Sequence, residues 1–128
     1  MKNFIWIFTI IGMSVMLLGC SANEVIKVGN PFNDEGTEGV NFNNEITDEK
    51  AITELKTIID NSKEIDKPNI ENEAEVFFQL DRPDESVSEI RRYIWFQDDG
   101  SAVLFDGGSS YSTLTKEQTT KLKSILEL

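Results

Sequence analysis

A chain of 128 residues has room for one domain with a single modest core. Its 23 Asp and Glu outweigh 12 Lys and Arg, and it holds no His and one Cys. That balance argues against binding nucleic acid or anionic lipid head groups through a basic patch, and it removes intrachain disulfides, Ser-His and Cys-His nucleophilic pairs and the usual zinc and copper ligands.

The first element in chain order is a secretory signal. Met1-Lys2-Asn3 supplies a charged start, Phe4 to Leu18 an apolar run, and Gly19 a small residue before Cys20. The run is about 15 residues, short of the ~20 that a membrane-spanning helix needs, and Ser21-Ala22-Asn23-Glu24 lacks the basic flank of a stop-transfer segment. Leu17-Leu18-Gly19-Cys20 resembles the bacterial lipobox, with Leu18 a less usual residue at its position. The resemblance implies that the Gly19–Cys20 bond is cut and that the Cys20 thiol carries diacylglycerol. Residues 1–19 are then a signal peptide, and the protein is held on the extracytoplasmic side of the cell membrane by lipid on Cys20. Two acyl chains on one residue give the durable attachment that a single chain does not. The remaining 109 residues carry 11 Lys and Arg against 23 Asp and Glu, a net charge of −12, so the lipid has to hold the protein without electrostatic help.

Residues 20–45 read as the lipidated Cys and a flexible tether. Val25 to Val28 offer a possible strand, while "GNPFNDEGTEGVNFNNE" is crowded with Gly, Asn and acidic residues that favour turns and coil. The domain proper is expected over 46–128. Thr47 or Asp48 caps a predicted helix to about Ser62, with Ala51, Ile52, Leu55, Ile58 and Ile59 on one stripe. Two strands follow, 74–80 and 88–97, joined by a turn at Pro83. Asp98-Asp99-Gly100 makes a hairpin into "SAVLF", and Asp106-Gly107-Gly108 precedes a short possible strand near Ser110 to Thr113. Thr115 and Gln118 form the capping box of a closing helix striped by Leu122, Ile125 and Leu126. The expected fold class is α+β: a small antiparallel sheet of three to five strands, two helices on one face, in the order β-α-β-β-β-(β)-α. "YIWFQDDGSAVLFDGGSSYSTLT" and the helix after it resemble small uncharacterised Gram-positive lipoproteins with a YhfM-like domain, which implies a location and a fold and carries no site residue.

The sheet alternation yields the main site expectation. Val76, Phe78, Leu80, Ile90, Ile94 and Phe96 meet the helices, which leaves Phe77, Arg91, Tyr93, Trp95 and Leu104 on the other face. Phe77, Arg91, Tyr93 and Trp95 are thus a candidate patch for a protein or envelope partner, unless residues 24–42 fold back to cover it or the strand register is opposite. No cofactor is expected and no catalytic or metal-ligating residue is assigned, so the leading reading is a non-catalytic binding domain. The alternative is a small acidic-residue enzyme or a calcium-dependent module near Asp98, Asp99 and Asp106, although neither these nor "NDEGTEGVNFNNE" fit EF-hand spacing.

Overall fold

The computed structural model describes residues 24–128; the signal segment, Gly19 and Cys20 lie outside the described residues. Seven strands form one antiparallel sheet: β1 (Val25–Asp34), β2 (Thr37–Ile46), β3 (Lys63–Ile65), β4 (Val76–Arg82), β5 (Val87–Phe96), β6 (Ala102–Phe105) and β7 (Tyr111–Leu114). Their spatial order is β2-β1-β4-β5-β6-β7-β3. Helix α1 (Glu49–Asp60) sits between β2 and β3, and α2 (Lys116–Ile125) closes the chain. This corrects the expected sheet of three to five strands, and the chain order becomes β-β-α-β-β-β-β-β-α.

Most of the difference lies before residue 47. The stretch expected as a tether is two ten-residue strands joined at Glu35 and Gly36, whose φ of 51° and 87° make the tight two-residue turn that suits a twisted hairpin. β1 pairs with β4 over Val25–Gly29 and with β2 along nearly its whole length. From Asn30 onward β2 is its only partner, so the missing amide hydrogen of Pro31 leaves no second ladder short of a donor. The outer half of the hairpin therefore projects past the start of β4. The other addition is β3, three residues that leave α1 and pair with β7 at the far edge.

Local chemistry accounts for the helices. The Asp48 carboxylate accepts from the Ala51 amide at 3.0 Å, and the Thr115 hydroxyl and Gln118 side chain satisfy each other's backbone amides at 3.2 and 2.9 Å. Both helices bury their stripes on the same side of the sheet. Leu55, Ile58, Leu122 and Ile125 pack there with Ile26, Val28, Phe78, Leu80, Ile94 and Leu114 in one apolar core. Leu104, expected on the opposite face, belongs to this core and is fully buried, because the β5–β6 register pairs it with Ile94; Val103 and Phe105 face away instead. Among the described residues, no helix is long and apolar enough to cross a membrane.

Candidate functional site: an aromatic groove on the helix-free face

Strand register sets one row of residues across the helix-free face. Phe42 and Phe77 both pair with Gly29, Phe77 pairs with Tyr93, Tyr93 with Phe105, Phe105 with Tyr111, and Tyr111 with Ile65. This single line crosses all seven strands. The ring centroids step along it at 6.1 Å (Phe42–Phe77), 4.8 Å (Phe77–Tyr93), 6.1 Å (Tyr93–Phe105) and 4.5 Å (Phe105–Tyr111), all within the range where aromatic pairs attract. Gly29 is the gap in the row. Lacking a side chain, it lets the Phe42 ring reach Phe77 across β1.

Two segments rise over this row and make it a groove rather than a flat face. One is the projecting β1–β2 hairpin, whose Glu38 and Val40 share the face of Phe42; the other is the loop before β4, with Glu73 and Ala74. The walls are tied together at one end, where the Asn30 side chain donates to the Glu75 carbonyl at 3.0 Å and accepts from Asn43 at 2.8 Å. The loop is fixed to the floor by the Trp95 indole, which donates to the Asn72 carbonyl at 2.8 Å. The groove is open to solvent along its length and holds about 660 Å³, the size of a small-ligand site.

All four residues expected as a patch line this space. They do so unequally, because the hairpin covers part of the face. Phe77 is only 1% exposed and forms the floor, Tyr93 and Trp95 are half-buried, and Arg91 is exposed. The Arg91 guanidinium carbon lies 5.7 Å from the Phe77 ring centroid, a cation–π contact, and Arg91 makes no ion pair among the described residues. The fold-back of residues 24–42, open as the alternative in the sequence, is what the β1–β2 hairpin does over part of the face, while sequence reasoning does not assign Phe42, Phe105 or Tyr111 to the groove. Two of these carry a local signal, Phe42 in the alternation of Val40 and Phe42 with Gly39, Asn41 and Asn43, and Phe105 in its alternation with Leu104; each marks the groove face once the phase of its strand is known.

The acidic positions of the alternative reading do not converge. Asp98 and Asp99 stand in the loop before β6 and Asp106 in the loop after it, at opposite ends of that strand. Each carboxylate with a resolved shift is committed to its own turn. The Ser101 hydroxyl at 2.6 Å, with the Ser101 amide at 2.9 Å, holds Asp99 below the usual carboxylate range. Asp106 is lowered chiefly by the Gly108 amide at 2.8 Å, with Ser110, Ser109 and the Arg92 charge adding to it. Among the described residues, no group of three or more His, Cys, Asp or Glu is arranged to hold a metal ion.

No protein-family model and no curated protein matches the sequence. A solved structure does: a thioesterase-like protein from Clostridium sporogenes ATCC 15579 is 21% identical and superposes with a TM-score of 0.56 over 79% of this chain and 91% of that one. At that identity the likeness concerns architecture alone: this chain, with its seven-stranded antiparallel sheet and two helices, shares the fold of that protein.

Proposed function

We propose that this protein is a lipid-anchored, extracytoplasmic binding domain of the cell membrane that uses the helix-free groove to hold a protein or envelope component, without chemistry of its own. The observation that carries the reading is the unbroken aromatic row, four ring-to-ring steps long, with Tyr93 and Trp95 left accessible between two walls. Large amphipathic rings beside an arginine are the side chains that dominate binding energy at recognition sites. The anchor suits the groove. Cys20 stands five residues before Val25, a reach of at most about 18 Å even when extended. Lipid on Cys20 thus keeps the Val25 end of β1 nearest the bilayer, while the groove residues from Pro31 onward lie a further ~20 Å along that strand.

The test places a photo-crosslinking residue at Tyr93 in the anchored full-length protein of intact cells, with the same residue at Thr120 on the exposed side of α2 as control. Adducts specific to position 93 are expected, and equal labelling from both positions rejects the groove. For the anchor, Cys20→Ala is expected to abolish incorporation of labelled fatty acid; retained label rejects lipidation.

The thioesterase-like neighbour supports a second reading, hydrolysis of an acyl ester or thioester lodged in the same groove. Glu38 and Glu73 are the carboxylates that line it. Turnover of a short acyl thioester that disappears in a Glu38→Gln, Glu73→Gln double variant would favour this reading over simple binding.

A further inference from the structure

We propose that the groove selects a cationic ligand with an apolar or aromatic body, its positive charge resting against the aromatic row and drawn by the Glu38 and Glu73 carboxylates. This rests on the groove being a binding site and names what it binds. Three independent features point to a cation. The row already holds one: the Arg91 guanidinium over Phe77 shows that the ring faces accept a delocalised positive charge, as expected from the negative face of an aromatic quadrupole. Glu38 comes from the hairpin wall and Glu73 from the loop wall, so each of the two walls brings a carboxylate to the space. Neither makes an ion pair or a side-chain hydrogen bond among the described residues, whereas the Lys27, Lys56, Arg82 and Lys121 side chains are all paired with carboxylates elsewhere.

The third feature is the field of the whole chain. Twenty-three acidic residues against 11 basic ones after Gly19 draw cations toward the surface and repel anions before any contact is made. Arg91 opposes this as the one cation lining the groove among the described residues, but a single exposed guanidinium does not reverse the sign set by two carboxylates and the surrounding charge. The volume of about 660 Å³ leaves room for a ring-bearing cation beside Arg91.

Trp95 supplies the readout, because it and Trp6 are the only indoles in the chain. The full-length protein carrying Trp6→Phe is titrated with tetraphenylphosphonium and, separately, with anilinonaphthalene sulfonate, an aromatic cation and an aromatic anion, while Trp95 fluorescence is followed. The cation is expected to bind roughly tenfold tighter than the anion at low ionic strength, with the gap narrowing as salt screens it. Glu38→Gln with Glu73→Gln should weaken the cation about fivefold and leave the anion unchanged or tighter. Tyr93→Ala, checked for folding by its circular dichroism, should weaken the cation by at least as much. Tighter binding of the anion, lost in Tyr93→Ala, would keep the groove as a binding site and overturn its preference for cations. Cation binding that does not depend on the two carboxylates would overturn that preference as well. If neither probe alters Trp95 emission, both the preference and the groove reading fail.

Discussion

Phe77 and Tyr93 face each other as a register pair on β4 and β5, their ring centroids 4.8 Å apart and their planes tilted by 55°. Phe77 is 1% exposed although it lies on the side of the sheet away from both helices. The hairpin, through Phe42, and the neighbouring rings therefore give this face a small apolar core of its own. Phe77→Ala should cost about 3–5 kcal/mol in chemical denaturation, the range for a buried phenylalanine. A loss under about 1 kcal/mol would mean that the hairpin does not cover the face in solution.

Gly29 decides whether that cover closes. A Cβ built there lies 2.5 Å from the Asn41 carbonyl oxygen and 2.8 Å from a Val40 methyl carbon, and both neighbours are held in the hairpin ladder. Gly29→Ala should therefore push β2 away from β1 at the bulge, at about 1–3 kcal/mol. Faster amide exchange confined to residues 30–33 and 38–42, with the β4–β5 core unchanged, is the expected signature. Uniform acceleration across the sheet would show that the hairpin and the rest unfold as one.

How far the sequence foretells these features depends on whether each element is local. The stripe of α1 and the capping box of α2 are local patterns, and the observed helices Glu49–Asp60 and Lys116–Ile125 lie where those patterns place them. The alternation in "AEVFFQL" and "EIRRYIWF" likewise puts Phe77, Tyr93 and Trp95 on a common face. The β1–β2 hairpin is different. Its turn places Glu35 at φ 51°, a conformation that a glutamate does not advertise, and its second strand is rich in Asn, a poor strand former that is held here by pairing. β3 is three residues long and exists through a pairing with β7 some 50 residues away. Leu104 departs from its expected face for a related reason: in a run as apolar as "AVLF" the phase of alternation is set by register with β5, and register is not written in the run itself. The aromatic row is a product of several such registers, so its members are visible singly in the sequence and its continuity is not.

Asp106 organises the β6–β7 connection at the groove's rim. Its Oδ1 accepts from the amides of Gly108, Ser109 and Ser110 at 2.8, 3.1 and 3.2 Å. Asp106→Ala leaves those donors to water and should lower stability by about 1 kcal/mol. Asp106→Asn keeps the accepting oxygen and should lose less than half as much. Equal losses in the two variants would show that the charge, and not the acceptor geometry, holds the turn.

Lowered carboxylates also set the acid limb of stability, most clearly at the other end of β1. Lys56 reaches both oxygens of Glu24, at 2.9 and 3.0 Å, while Arg82 lies 3.2 Å from Glu89 and 4.0 Å from Glu24, tying α1 and the β4–β5 hairpin to the residue just before β1. The Lys56 hydrogen bond is the main reason that the Glu24 carboxyl titrates below its ordinary 4.5, against the opposing effect of burial. A carboxylate lowered on folding adds stability that is fully present above its unfolded value and disappears as pH falls through the folded one. Glu24, Asp99 and Asp106 are all lowered, so the melting temperature should hold from neutrality down to the ordinary carboxylate range and fall below it. Lys56→Met removes the cause for Glu24. The variant should be destabilised near neutrality by at most about 1 kcal/mol, since the network is partly exposed and screened, and the deficit should shrink as the pH is lowered until Glu24 is protonated in both proteins. A deficit that persists unchanged in acid would mean that the Lys56 stem contributes through packing rather than through its charge.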